Sequence, residues 1–232
     1  PPPPRAIHAF LSGIVDYAGL FPPAKLDMPT SARNYAEYLR SPHSWMLGRF
    51  ICPVSRLEEF RKATIDLLPR TPPPAPHQSP DSLIPDTHEH HAGEPWPISA
   101  IIDGDLDENL DAIFAFNHEH TKPERGLAVV DAAEIKVPGD TPDAAAVFID
   151  EALDLIPEEI FPFFEIPAGP TVDFRGMLAA LSGADAGAKL RTGGLTPEAF
   201  PEARIVAEFI AACAAGDVPF KATAGLHHPV RA

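Results

Sequence analysis

Three of the six lysines of this chain lie where an apolar, strand-like segment ends: Lys136 in AEIKVP, Lys189 in GAKLRTGG and Lys221 in FKATAGLHHP. In an extended strand residues i and i+2 share a face, which groups Glu134 with Lys136, Lys189 with Arg191 and Lys221 with Thr223. Two lysines at adjacent strand ends disfavour each other's protonation, and a partly dry setting adds to the effect. A lysine depressed in this way attacks carbonyls and forms a Schiff base. Lys189 is the expected nucleophile and Lys221 the neighbour that lowers its pKa. Glu165 in FPFFEIP shares a face with Phe163 and is the expected acid, base or counter-ion. The planar fork of Arg191 suits a carboxylate or phosphate. The alternative without chemistry is a set of buried ion pairs, Glu165 with Lys189 or Glu134 with Lys221.

His227-His228 follows the last strand-like segment, a place suited to acid/base work or metal ligation. Adjacent residues point apart, so one of the two at most faces a common site. No HExxH spacing supplies further ligands, and neither a metal site nor a cofactor is expected. His88, His90 and His91 fall in a Pro-rich stretch and read as solvated side chains. Gly193 and Gly225 offer close backbone approach to an anion.

These groups need elements to hold them. The spacing predicts strands over Gly13–Leu20, Met46–Pro53, Ile98–Asp103, the second half of Leu127–Val137, Ile160–Ile166 beginning after Pro162, Ala186–Thr192 and Phe220–Ala224. Helical patterns lie between them. One opens at Ser55 with Glu58 at capping-box spacing. Another opens at Thr141-Pro142, with proline at the first helical position. A third, over Pro201–Ala214, carries Ile205, Val206, Phe209, Ile210 and Cys213 on one stripe and stops near Gly216. Strands alternating with helices predict a parallel sheet, and six or seven such units favour a TIM-type (β/α)8 barrel as a single domain. Residues 71–95, rich in Pro, His and Asp, bury too little apolar surface to offset their ordering and are expected to form a mobile loop.

The chain has 232 residues, 45% of them hydrophobic, and a net charge of -15. An acidic balance of that size opposes nonspecific binding to nucleic acid. No apolar run reaches the roughly 18 residues of a membrane span, and no signal-peptide pattern appears. The two cysteines, Cys52 and Cys213, have no framework spacing and read as reduced and buried. A cytoplasmic protein with a small anionic substrate is expected, with homo-oligomerisation left open. The chain opens on four prolines without an initiator Met and stops after a Gly-rich turn, so it is expected to be a fragment.

The C-terminal part, about Ala133 to Arg231, resembles the deoxyribose-phosphate aldolase family of class I aldolases. The residues that carry the likeness are Lys189 with Thr192-Gly193, then Thr196-Pro197-Glu198, then Phe220-Lys221 with Ala224-Gly225. FFEIP and AEIKV resemble the two preceding family strands, and RFICPVSRLEEF is similar to the second. The resemblance implies a TIM barrel with Lys189 as Schiff-base lysine. It also implies that Phe220–Ala224 is the seventh strand, so that the last βα unit is missing. Two positions depart from the family. Lys136 stands where the family has a catalytic aspartate, and Leu226-His227-His228-Pro229 replaces a glycine-rich, phosphate-contacting turn.

The expectation is therefore a class I, aldolase-like carbon–carbon lyase acting on a small anionic carbonyl compound. Its catalytic residues are Lys189, Lys221, Glu165 and His227, and its substrate-binding residues Arg191, Lys136, Thr192, Gly193, Gly225 and His228. Two other classes compete with it: a non-catalytic barrel that binds an anionic metabolite, and a metal-assisted hydrolase or isomerase using His227 or His228 with Glu165.

Overall fold

Residues 5–71 and 93–224 are described by the structure, a computed structural model. They gather into two compact units, one within Pro1–Asp103 and Asp111–Val130, the other within Gly104–Leu110 and Asp131–Ala232. The fold is α/β, and every described strand pair is parallel.

The first unit contains α1 (Arg5–Leu11), β1 (Val15–Tyr17), α2 (Met28–Tyr38), β2 (Leu47–Pro53), α3 (Leu57–Thr64), β3 (Trp96–Ile101) and most of α4 (Leu106–His120), with β2 paired to both β1 and β3. Asp27 caps α2 by accepting from the Thr30 backbone N–H at 2.7 Å, and Pro29 follows in the first turn, where its missing N–H breaks no helical bond. Met28, Ser31, Ala32, Tyr35 and Ala36 then form the buried stripe of that helix. Tyr35, Phe50, Phe60 and Trp96 meet at angled contacts, with ring centroids 5.1 to 5.4 Å apart for Tyr35–Phe50, Tyr35–Trp96 and Phe50–Phe60, the arrangement aromatic quadrupoles favour.

The second unit carries most of β4 (Ala128–Lys136), then α5 (Pro142–Leu155), β5 (Phe161–Ile166), α6 (Phe174–Leu178), β6 (Gly187–Arg191), α7 (Ala203–Gly216) and β7 (Phe220–Thr223). Its strands lie in sequence order, with β5 between β4 and β6, and β6 between β5 and β7. The face carrying Phe164 packs against helices: Phe164 meets Phe148 of α5 edge-on, and Ala188 and Leu190 of β6 are buried on that same side. By the two-residue period of a strand, Glu165 and Lys189 point to the opposite face.

Four local expectations are corrected. Helix α1 has no counterpart among the elements read from the sequence. The fourth strand runs over all nine residues of Ala128–Lys136 and not its second half alone. Within it, Val130 bonds both ways with the side-chain amide of Asn117, at 2.8 and 2.9 Å. Pro162 lies inside β5, and it is tolerated because pairing with β6 begins one residue later, at Phe163 opposite Gly187.

The capping box at Ser55 does not form. Val54–Arg56 is a 3-10 turn, and Ser55 donates its N–H and hydroxyl to the carboxylate of Asp103. Glu58 is held instead by Arg61. The stop of α7 at Gly216 is as read, with Asp217 adopting the left-handed conformation that ends it. Most of the expected mobile loop, residues 72–92, lies outside the described residues.

Candidate functional site

Strand register sets out the site. Lys136, Glu165, Lys189 and Lys221 are successive Cα partners across β4, β5, β6 and β7. Two residues earlier, Glu134, Phe163 and Gly187 form a second row. Arg191 and Thr223 form a third, two residues later. Four charged side chains from the first two rows converge. The ammonium of Lys189 lies 2.7 Å from Glu134 Oε2 and 2.7 Å from Glu165 Oε2. The ammonium of Lys221 donates to Glu134 Oε1 at 2.8 Å. Two cations therefore share the two oxygens of one carboxylate, and Lys189 and Lys221 point to the same face.

Burial grades this cluster. The side chain of Glu134 is 2% exposed, Lys189 8%, Lys221 12% and Glu165 21%. Loss of water pushes the Glu134 carboxyl up, yet the charges and hydrogen bonds of Lys221 and Lys189 outweigh it and hold the group below the usual carboxylate range. For Lys189, burial pushes the ammonium down, and the two carboxylates outweigh that, leaving it above the ordinary lysine value. The lowering of Lys189 expected from its neighbour Lys221 is thus reversed, because Glu134 stands between the two cations.

The Phe163 ring lies beneath this group, with its centroid 5.1 Å from Lys221 Nζ, within range of a cation–π contact. Gly187 makes the placement possible. A Cβ on that residue would come within 2.8 Å of two Phe163 ring carbons and 3.0 Å of the Pro219 carbonyl oxygen.

The remaining expected residues divide. The Lys136 side chain is exposed and forms no hydrogen bond or ion pair among the described residues. Arg191 is exposed, and its Nε donates to the Gly193 carbonyl at 3.0 Å. Both stand at the C-terminal ends of their strands, as cations beside a cluster whose own charges cancel. Thr192 is buried with its hydroxyl on the backbone carbonyls of Thr223 and Ala224, so it fastens β6 to β7 instead of facing the charged side. Gly225, His227 and His228 lie outside the described residues. Among the described residues, no group of three His, Cys, Asp or Glu side chains is arranged to hold a metal ion. Two surface clefts, around Phe174 and Ala212 and around Cys213 and Phe220, include no member of the cluster.

Glu134 is the member that sequence reasoning undervalued, since it was read only as a face-mate of Lys136 and a salt-bridge partner. The signal was present: a lone carboxylate in the apolar run of AAEIKV has to be paired when buried. Phe163 and Gly187 carried no chemical signal at all.

Comparison with models of protein families, with curated proteins and with solved structures gave no match.

Proposed function

We propose that this chain is a Schiff-base enzyme of the aldolase-like lyase class, acting on a small anionic carbonyl compound, with Lys189 as the amine. The observation that carries the reading is the 2.7 Å contact between Lys189 Nζ and the partly exposed carboxylate of Glu165. A proton passes from Lys189 to Glu165 Oε2, and the amine lone pair adds to the carbonyl carbon. The nitrogen, which then carries two protons and a positive charge, passes one of them to the former carbonyl oxygen, which becomes a hydroxyl. Glu165 then protonates that hydroxyl, water leaves, and the nitrogen lone pair forms the C=N bond. The resulting iminium accepts the electron pair of a broken carbon–carbon bond.

Lys136 and Arg191 attract the anionic group of the substrate. Glu134 supports the likeness to class I aldolases, because the carboxylate missing at position 136 is present two residues earlier on the same face. The parallel β/α alternation in each unit supports a TIM-type barrel as part of the same proposal. A cytoplasmic setting and the lack of a nucleic-acid partner belong to the same proposal; two free cysteines and the acidic net charge are consistent with them.

The test is reductive trapping. The protein is treated with borohydride in the presence of glyoxylate, pyruvate or acetaldehyde, and its lysines are mapped by mass spectrometry. A stoichiometric adduct on Lys189 that exceeds any on exposed Lys62 is the expected result. No adduct on Lys189 with any probe overturns the reading. A second reading, an anion-binding barrel without chemistry, is favoured by the pairing of every charge in the cluster. It gains if anions bind and Lys189 stays unmodified.

A further inference from the structure

Glu134 occupies an unusual position for a carboxylate. It is the most buried member of the cluster, and each of its oxygens is committed to a different lysine. Without it, two ammonium groups would converge on one face with Glu165 as the one carboxylate left against them among the described residues. Mutual repulsion and lost hydration would then drive a proton off one of the pair. With it, the four charges cancel.

Glu165 differs in just the respects that matter for proton movement. Its contact with Lys189 uses Oε2, its Oε1 makes no hydrogen bond or ion pair among the described residues, and its side chain is the most exposed of the four. We propose that Glu134 is the positioning residue of this site: it gathers Lys189 and Lys221 onto one point and holds Lys189 as an ammonium ion, so that the reactive amine appears only when a proton leaves through Glu165.

The groups facing the pair define the prediction. Glu134 comes from β4, Glu165 and the Phe163 ring from β5, and Lys189 and Lys221 from β6 and β7, with exposed Lys136 and Arg191 in the flanking positions. Glu134 is the only carboxylate among them that touches both lysines. Removing its charge leaves two cations against one anion, and one lysine must then become easier to deprotonate. Phe163 cannot compensate, because a ring face attracts a cation without accepting its proton.

This inference rests on the Schiff-base reading, and the experiment separates the two. Adduct yield on Lys189 with glyoxylate and borohydride is measured as a function of pH for the wild type and for Glu134→Gln. The expected result is an alkaline midpoint in the wild type and a midpoint at least one unit lower in the variant, which means about tenfold more adduct at neutral pH. Glu134→Asp, which keeps the charge, is expected to return the midpoint toward the wild-type value. Equal midpoints in wild type and Glu134→Gln overturn the role of Glu134 and leave Lys189 as the amine. An absence of adduct on Lys189 at every pH overturns the enzymatic reading itself.

A titration of the wild type decides the role of Glu134 even if Glu134→Gln does not fold or no adduct forms. The 13Cε resonance of Lys189, followed by NMR, is expected to keep its ammonium shift to pH 10. Lys189 titrating below pH 9 overturns the proposal.

Discussion

Glu134 and Lys189 form an ion pair at 2.7 Å although a complete strand, β5, separates the strands that bear them. Glu134 also reaches Lys221, one strand further on. A flat sheet would set β4 and β7 about 14 Å apart, three gaps of ~4.8 Å, with side chains standing upright from it. The contacts therefore require the strands of this unit to curve toward their charged face. Gly187 helps, since its missing side chain leaves the space below the cluster to Phe163.

Breaking the cluster by removing one partner is expected to be costly. Lys189→Met leaves Glu134 and Glu165 without their shared cation, and a buried charge left uncompensated costs about 3–5 kcal/mol. Denaturant unfolding measures it. The double variant Lys189→Met/Glu165→Gln should lose less than the sum of the two single changes, because the residues contact each other. Strict additivity would mean that the pair is not coupled.

Stability should depend on pH at both extremes. The Glu134 carboxyl is held below its ordinary value of 4.5, so its contribution is complete above about pH 4.5 and is lost as pH falls through the folded-state value. Lys189 is held above its ordinary value of 10.5, so its contribution is complete below about pH 10.5 and is lost as pH rises through the folded-state value. The difference in unfolding free energy between the wild type and Glu134→Gln should therefore be level from about pH 5 to 10. It should shrink in acid, and a difference that stays constant down to pH 2 would contradict this.

Gly187→Ala should destabilise the second unit by about 1–3 kcal/mol, the usual range for overpacking. The added methyl meets both the Phe163 ring and the Pro219 carbonyl. Combining it with Phe163→Leu should recover part of the loss by removing the first of those clashes. Thermal unfolding of the four proteins checks the pattern, and equal losses in the single and double variants would contradict it.

Both cysteines should be inert in the folded state. Burial pushes the Cys52 thiol up to about 12 and the Cys213 thiol up to about 11, and the reactive species is the thiolate. Native protein at pH 8 should show no reaction with a thiol reagent over minutes. Denatured protein should react at both sites.

The positions of the clustered lysines were legible because a strand repeats every two residues, so parity alone put Lys189 and Lys221 on candidate faces. The partner of each lysine was not. Whether Glu134 meets Lys221 depends on the register across β4, β5, β6 and β7 and on the curvature between them, and neither is a property of one segment. The direction of the Lys189 shift failed for the same reason, since it depends on whether a carboxylate lies between the two cations. Local chemistry failed at Ser55, where the expected partner three residues away lost to Asp103, a residue 48 positions along the chain. Alternation of strands and helices, a pattern repeated along the whole sequence, gave the α/β class because no single error could erase it.

The contrast between the buried cluster and the exposed cations also separates their responses to ionic strength. Mobile ions screen solvent-facing charges over about 8 Å in physiological salt, whereas contacts sealed from water are screened far less. Lys136 and Arg191 lie in the first regime, and Glu134 with its two lysines in the second. On the proposed Schiff-base reading, added salt should slow the approach of an anion to this face long before it disturbs the proton balance beneath, so capture and chemistry become separable in a salt series.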